Sequence, residues 1–229
     1  MAGETAKTEA ICLRISPWSR TSHVVTWLTP TGRISTSVKG AVRPKSAFLG
    51  QYDLNYLCEI VYYLGARGDL HALRECAPVE LHDVLRGDYR ALLVAEHFRT
   101  IAGSLAPFGA DAAEWFDLLK DALGRLHARR TLLAELLRFE LAALRLSGLA
   151  PEVEAESGGF LLRGERRLPV SNDVARCIKD PTREKNIQTL RDAARAIGVF
   201  YAFHLDGTPE TRRAILQAVT TKEEGNTDG

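Results

Sequence analysis

Apolar side chains in the first part of the chain recur at every second position, which is the period of a half-buried β-strand. Two such runs, Val24 to Leu28 and Arg33 to Val38, flank the tetrapeptide Thr29-Pro30-Thr31-Gly32. Proline presets one turn dihedral and glycine permits the next. The segment therefore predicts a β-hairpin.

Further alternating runs predict three more strands, Thr8 to Ile15, Gln51 to Leu64 and Leu70 to Cys76. In this pattern Trp27 belongs to the core, and Tyr52, Tyr56 and Tyr62 are structural. Five short strands in about 75 residues, with no helical stretch between them, indicate a Greek-key barrel. The OB-fold is the common five-stranded barrel of this kind.

From Pro78 onward the apolar period changes to 3.6 residues, as in amphipathic helices. The pattern predicts helices at His82 to Leu105, from Asp111 through Leu126, Thr131 to Ser147, Arg183 to His204 and Pro209 to Thr221. Residues 152–181 lose the periodicity and predict only a small hairpin around Phe160. The predicted fold class is α+β with several domains: a barrel at residues 1–78, a helical domain at 79–222 with an irregular segment at about 149–181, and a disordered polar tail at 223–229.

The overall composition, 45% apolar and 26% charged, is that of an ordinary soluble protein. No apolar run approaches the roughly 20 residues of a membrane span, and the first residues are polar, so we expect a cytoplasmic protein. The four cysteines are scattered without a C-x-x-C pair, which favours free, mostly buried thiols over disulfides or zinc ligands.

The net charge of +1 conceals a regional imbalance. Residues 1–45 hold seven Lys or Arg against two Asp or Glu, whereas residues 46–80 hold two against five. Lys39, Arg43 and Lys45 lie with Phe48 in a loop after the hairpin, and no acid occurs between Glu9 and Asp53. A cationic, partly aromatic surface on a small barrel is suited to a nucleic-acid strand.

Catalytic motifs are absent from the sequence. The six histidines are dispersed, and no H-E-x-x-H, G-x-S-x-G or phosphate-loop pattern occurs. The sequence therefore predicts a binding protein with no catalytic residues.

The order of motifs resembles a known family over nearly the whole chain. Its most specific part is the run Pro17-x-Ser19, Val24-Val25, Leu28-Thr29-x-x-Gly32 and Val38-Lys39-Gly40-Ala41-x-Arg43-x-Lys45-Ser46. Further matches are Trp115-Phe116-Asp117-Leu118-Leu119, Phe139-Glu140-Leu141, Gly148-Leu149-Ala150-Pro151 and Tyr201 to Leu205. These motifs resemble the bacterial recombination mediator family RecO.

The resemblance implies an N-terminal OB-fold and a helical domain in a protein that binds single- and double-stranded DNA and anneals complementary strands. It also implies that the protein helps to load RecA onto DNA coated by single-stranded-DNA-binding protein, together with RecR and, in many bacteria, RecF. Such a protein would be associated with the nucleoid.

Two departures from the family pattern affect the expectations. Many members carry four zinc-binding cysteines after the Gly-x-x-Pro segment, whereas residues 152–159 contain none here. Carboxylates alone do not make a zinc site, so we expect no metal and no other cofactor. Arg20 also occupies a loop position where the family often has Glu, which makes this loop more basic.

OB barrels commonly bind single-stranded nucleic acid across β-strands two and three. The loops between strands one and two and between strands four and five also take part. On that basis the predicted DNA-binding residues are Arg14, Trp18, Arg20, Arg33, Lys39, Arg43, Lys45, Phe48 and Arg67. A second basic cluster, Arg163 to Lys185, is diluted by acids and is interpreted as a solvated face, with a second DNA-holding surface, as strand annealing needs, as the alternative. Two alternatives stay open from the sequence: an RNA-binding OB module, and a helical adaptor that does not bind DNA.

Overall fold

A computed structural model describes residues 4–65, 70–126, 131–154, 159–161, 167–204 and 210–223. The chain divides into two compact units, one within Met1–Asp83 and Arg99–Leu123, the other within Val84–Phe98 and Gly124–Gly229. Residues 99–123, which lie in the predicted helical domain, therefore belong to the same unit as the barrel strands. The predicted domain boundary at residue 78 stays a prediction. Over the described ranges, no helix has the length and apolarity needed to span a bilayer.

The N-terminal unit contains a closed five-stranded barrel. Its strands are β1 (Thr5–Pro17), β2 (His23–Thr29), β3 (Gly32–Val38), β4 (Leu57–Tyr63) and β5 (Leu70–Glu80). Their order is β1-β2-β3-β5-β4, and β4 closes the barrel by pairing antiparallel with β1. Strands β3 and β5 are the parallel pair. This arrangement confirms the predicted five-stranded barrel.

The predicted hairpin forms between β2 and β3, with Thr29 paired to Gly32 across the turn. Inside the barrel, Trp27 is fully buried and its Nε1–H donates to Thr36 Oγ1 at 2.8 Å. Tyr56 and Tyr62 are also buried. These positions confirm the interpretation of Trp27 and both tyrosines as core residues.

The strand predicted from Gln51 to Leu64 is wrong over its first six residues. Residues 51–56 form turns in which the Tyr56 N–H donates to the Asp53 carbonyl, and Asn55 adopts a left-handed φ of 67°. A residue in that conformation interrupts an extended strand, so β4 begins at Leu57. The polar and apolar residues alternate here, but the backbone turns.

Strand β5 extends past the predicted end at Cys76 and includes Pro78. Pro78 lies opposite Cys58, where the register of the β4–β5 pair shifts. Proline lacks the N–H that a regular ladder needs, and it is tolerated at such an irregularity. Cys12 and Cys58 are buried free thiols in the barrel, as predicted, while Cys76 is half-buried.

The described helices are α1 (Val84–Gly87), α2 (Tyr89–Leu105), α3 (Ala113–Arg125), α4 (Leu132–Leu146), α5 (Asn172–Lys179), α6 (Ile187–His204) and α7 (Glu210–Glu223). A helix predicted from His82 is broken at Asp88, whose carboxylate accepts from the Arg90 and Ala91 N–H groups. Such a cap begins a new helix. The predicted end of the third helix is confirmed, because α4 ends at Leu146 and Gly148 has a φ of 70°.

The segment predicted to be irregular contains regular structure. A three-stranded antiparallel sheet joins β6 (Glu152–Glu154), β7 (Gly159–Leu161) and β8 (Arg167–Pro169), which extends the predicted hairpin by one strand. The sequence analysis missed α5, which begins after Ser171, whose hydroxyl accepts from the Val174 N–H. A short 3-10 helix, Pro181–Arg183, follows it. The predicted tail falls largely on residues 224–229, outside the described residues.

A polar network is buried in the second unit. Glu140 of α4 accepts from Arg212 of α7, with Nε to Oε1 at 2.7 Å and Nη2 to Oε2 at 3.1 Å. His97 Nε2 lies 2.9 Å from Glu140 Oε1, and the Tyr201 hydroxyl donates to the Glu140 carbonyl. Burial alone would raise the pKa of Glu140, but Arg212 and His97 together lower it to about 2. The carboxylate is therefore charged and fully partnered.

Candidate nucleic-acid interface

Two loops meet at one end of the barrel. The β1–β2 loop closes on itself, because the Trp18 and Ser19 N–H groups donate to the Ser22 carbonyl. The segment after β3 then joins it: the Val42 N–H donates to the Thr21 carbonyl at 3.3 Å, and the Gly40 N–H donates to Ser22 Oγ. The residues predicted on the two loops are therefore held side by side.

Four cations project from these loops, and we call them the cationic rim: Arg20, Lys39, Arg43 and Lys45. All four are exposed. None of them forms an ion pair with a carboxylate in the described part of the chain. Gly40 has a φ of 68°, and the Arg43 side chain crosses it so closely that an added Cβ would lie 3.2 Å from Arg43 Cδ. The turn at Gly40 thus leaves room for the aliphatic part of the Arg43 side chain to lie along the loop.

The loop that carries the rim is fixed from inside the barrel. Ala41 is buried in the barrel core, and Phe48 and Tyr52 pack against that core. Tyr52 stacks edge-on with Trp27 at 6.0 Å between ring centroids, and its hydroxyl lies 2.8 Å from His23 Nδ1. Phe48, one of the predicted DNA-binding residues, therefore lies against the core and anchors the loop. The exposed aromatic is Trp18, at 71%.

The outer face of β1, β2 and β3 next to the rim is polar. The register aligns Arg14 with Thr26 and Thr26 with Ser35, and it aligns Ser16 with Val24 and Val24 with Ser37. Arg14 is exposed, and the hydroxyl side chains are half-buried. Hydroxyl groups donate readily to phosphate oxygens. The structure thus places the predicted Arg14 among small hydrogen-bonding side chains, beside the loop that carries Trp18.

Arg33 does not join this group. It lies near the start of β3, at the end of the strand opposite to Lys39. Its guanidinium stacks on the Phe108 ring, 3.9 Å from the centroid, and donates to the Gly103 carbonyl. Burial lowers its pKa from the usual value. Arg33 therefore fastens the α2–α3 connection to the barrel, and we leave it out of the proposed interface. Arg67 lies outside the described residues.

The second basic cluster is partly neutralised. Arg176 pairs with Asp173, and Arg183 pairs with Asp180 at 2.9 Å. Lys179 and Lys185 are exposed. The side chains of Arg163, Arg166 and Arg167 lie outside the described residues. The two pairs agree with the interpretation of this region as a solvated face.

The residues after α4 do not fit a zinc ion. In the parts of the chain that the structure covers, no three His, Cys, Asp or Glu side chains lie close enough to hold a metal. Residues 152–159 offer carboxylates but no thiolate or imidazole, and zinc in structural sites favours the latter two. We derive no role for zinc in this chain.

Sequence reasoning missed two groups at this site. The hydroxyls of Thr26, Ser35 and Ser37 share the outer face of the hairpin, and the period of two in the runs Val24 to Leu28 and Arg33 to Val38 could have identified them. Thr21 and Ser22 join the two loops through hydrogen bonds. No sequence signal links positions about 20 residues apart, so this contact needed the structure.

Comparison with known proteins agrees with the architecture. The family model "Recombination protein O N terminal" matches residues 1–82, and "Recombination protein O C terminal" matches residues 86–219. Together they cover both the barrel strands and the described helices.

Curated relatives carry the same family name. The chain is 31% identical over 153 residues to the DNA repair protein RecO of Anaeromyxobacter dehalogenans, covering 66% of this chain and 60% of the relative. It is 33% identical to the RecO of Rhodopirellula baltica, covering 63% and 54% respectively. The matches thus span little more than half of each relative's length. The chain belongs to the RecO family of DNA repair and recombination proteins, and its barrel is the OB-fold of that family.

Proposed function

We propose that this chain is a non-enzymatic mediator of recombinational DNA repair that binds the DNA backbone with its cationic rim. The observation that supports this most strongly is the hydrogen-bonded pair of loops, which holds at one end of the barrel four cations that form no ion pair with any carboxylate among the described residues. Cations that already had carboxylate partners would gain little from a phosphate, because the existing pair would have to break.

The sugar-phosphate backbone of the DNA would continue from the cationic rim across the polar outer face of strands β1, β2 and β3. Arg14 supplies a further positive charge there, and Thr26 and Ser35 supply hydroxyl donors, whereas the Ser37 hydroxyl already donates to the His71 carbonyl. Each cation that neutralises a phosphate releases condensed counterions, which makes the affinity depend on salt. Such contacts carry no sequence information, and a repair mediator must act at any sequence.

Membership of the family supports the finer activities. We propose that the chain binds single- and double-stranded DNA, anneals complementary strands, and helps to load RecA onto strands coated by single-stranded-DNA-binding protein. RecR and, in many bacteria, RecF would be its partners, and it would act in the cytoplasm at the nucleoid. The relatives' names support the repair role itself.

The direct test is a titration of a fluorescent single-stranded oligonucleotide at several salt concentrations. With five phosphate contacts, four at the rim and one at Arg14, log affinity should fall against log salt with a slope of about −3.5, at about 0.7 per contact. Changing Lys39, Arg43 and Lys45 together to Ala leaves two contacts and should reduce the slope to about −1.4. The circular dichroism spectrum should stay unchanged, since these side chains are exposed.

A matched control removes the same charge from the same unit. Lys7, Arg74 and Lys120 are each paired with a carboxylate, at 2.8, 3.2 and 2.9 Å. Changing these three residues to Ala should leave the slope at about −3.5. If both triple variants reduced the salt slope by the same amount, the net charge of the unit and not the cationic rim would explain binding. The proposed site would then be wrong.

Two alternatives predict other results. An RNA-binding module would release the DNA oligonucleotide to an RNA of the same sequence at equal concentration. An adaptor that does not bind DNA would show no salt-dependent binding at all, and the triple substitution at the rim would leave its partners bound.

A further inference from the structure

Two apolar side chains stand exposed among the cations of the rim. Trp18 is 71% exposed and Val42 is 48% exposed. Their backbones are fixed by the hydrogen bonds from Trp18 to Ser22 and from Val42 to Thr21. Because these bonds hold the two loops together, Trp18 and Val42 are presented from neighbouring segments.

The other two tryptophans of the chain behave differently. Trp27 is fully buried, and Trp115 is 7% exposed. A tryptophan normally gains free energy by removing its large apolar surface from water. Trp18 could recover that gain by contact with an apolar surface supplied by the ligand. The cations around it indicate that the ligand is a polyanion.

Single- and double-stranded DNA offer the same phosphates but different apolar surfaces. In a duplex the base faces are stacked on one another, so an apolar side chain reaches them only by unstacking a base step. In a single strand the base faces are accessible, and an aromatic ring can stack on any of the four bases. Cations alone therefore bind both forms, while an exposed aromatic adds affinity for one of them.

We propose that Trp18, supported by Val42, makes the cationic rim selective for unpaired bases, so that strand type is chosen by these two apolar side chains and not by the cations. This inference rests on the proposed DNA binding at the rim. The site then has two functions. The cations Arg20, Lys39, Arg43 and Lys45 contact the phosphates of either form of DNA, and Trp18 stacks on a base of a single strand.

The test measures affinity for a labelled single strand and for a duplex of the same length at one salt concentration. Trp18→Ala should weaken single-strand binding by about 5- to 150-fold, which is the range for loss of one stacked base. Duplex binding should change by less than about twofold. Trp18→Phe should retain part of the single-strand affinity, and Val42→Ser should lower it slightly.

Tyr89 on α2 offers a matched control, because it is an aromatic side chain of similar exposure, 69%. Tyr89→Ala should leave the ratio of single-strand to duplex affinity unchanged. Quenching by acrylamide, a neutral molecule that DNA phosphates do not repel, supplies a second readout, since Trp18 is the accessible tryptophan of the three. A single strand should protect the wild-type fluorescence from acrylamide more strongly than a duplex does.

The possible results distinguish a failure of the Trp18 selectivity from a failure of the proposed DNA binding at the rim. If the wild type bound neither DNA form with a salt-dependent affinity, the proposed function itself would fail. If it bound both, yet Trp18→Ala weakened both equally, Trp18 would contact the duplex as well and the selectivity would be wrong. Binding that was unaffected by Trp18→Ala would also overturn the selectivity while leaving the cationic contact intact.

Discussion

Arg212 and Glu140 form a doubly hydrogen-bonded ion pair inside the helical unit, with donor–acceptor distances of 2.7 and 3.1 Å and almost no exposure of either side chain. The same carboxylate also contacts His97. A buried pair of this kind is costly to break, because the remaining charge has neither water nor a counterion. The stability of the helical unit should therefore depend on both partners.

Arg212→Met keeps most of the side-chain volume and removes the charge. It should lower the free energy of unfolding by about 3 to 5 kcal/mol, since Glu140 is left buried without its cation. Chemical denaturation followed by circular dichroism measures this loss. The double variant with Glu140→Met should be more stable than Arg212→Met alone, and a double variant that lost the sum of both single losses would contradict the coupling.

Acid should lower the free energy of unfolding of the helical unit that contains Glu140. The pKa of Glu140 is about 2 in the folded chain, below its usual 4.5, so between these values the unfolded state binds more protons. The stabilisation is complete above about pH 4.5 and is lost as the pH falls toward 2, by about 3 kcal/mol in all.

Comparison with a variant isolates that contribution from other carboxylates. Glu140→Gln cannot titrate at this position, so its unfolding free energy should fall less steeply between pH 5 and pH 2.5 than that of the wild type. Parallel curves for the two proteins would show that Glu140 keeps an ordinary pKa.

Arg33 lies in β3 and Lys39 directly follows that strand, but the two residues should respond differently to substitution. Arg33→Ala removes the stack on Phe108 and the bond to the Gly103 carbonyl, and should cost about 1 to 2 kcal/mol of stability. Its oligonucleotide affinity should change by less than about twofold. Lys39→Ala should leave the melting temperature unchanged and reduce the salt slope by about 0.7. The reverse pattern would place Arg33 in the interface.

Gly32→Ala should severely destabilise the barrel. Gly32 has a φ of 121°, and an added Cβ would lie 2.6 Å from the Ala110 carbonyl oxygen. Backbone atoms cannot move aside cheaply, so the loss should exceed about 3 kcal/mol. Gly50→Ala is the control, because Gly50 also has a positive φ but its Cβ would meet nothing within 4 Å. It should cost only about 1 kcal/mol, and equal losses would contradict the steric explanation.

Local patterns predicted the barrel better than they predicted the site. The hairpin at Thr29 to Gly32 was predictable because its turn residues and its alternation lie within about a dozen positions. Gln51 to Tyr56 alternates just as well but forms turns, since Asn55 takes a left-handed conformation that the pattern of side chains does not show.

Long-range contacts account for most of the remaining differences. Arg33 resembles a free cation in the sequence, and its partners Gly103 and Phe108 lie about 70 positions away. Phe48 resembles an exposed loop aromatic, yet it packs against the barrel core. In both cases the tertiary fold decides whether a side chain faces a ligand or the interior, and no local window contains that information.

The position of Arg212 in the chain has a consequence for biosynthesis. The ribosome makes Glu140 about seventy residues before Arg212, so the nascent helical unit carries an acidic group whose guanidinium partner has not yet been translated. Full stabilisation of the buried Glu140 carboxylate should therefore depend on the emergence of α7. Translation that stops ahead of Arg212 should leave a product that chaperones and proteases recognise as incomplete.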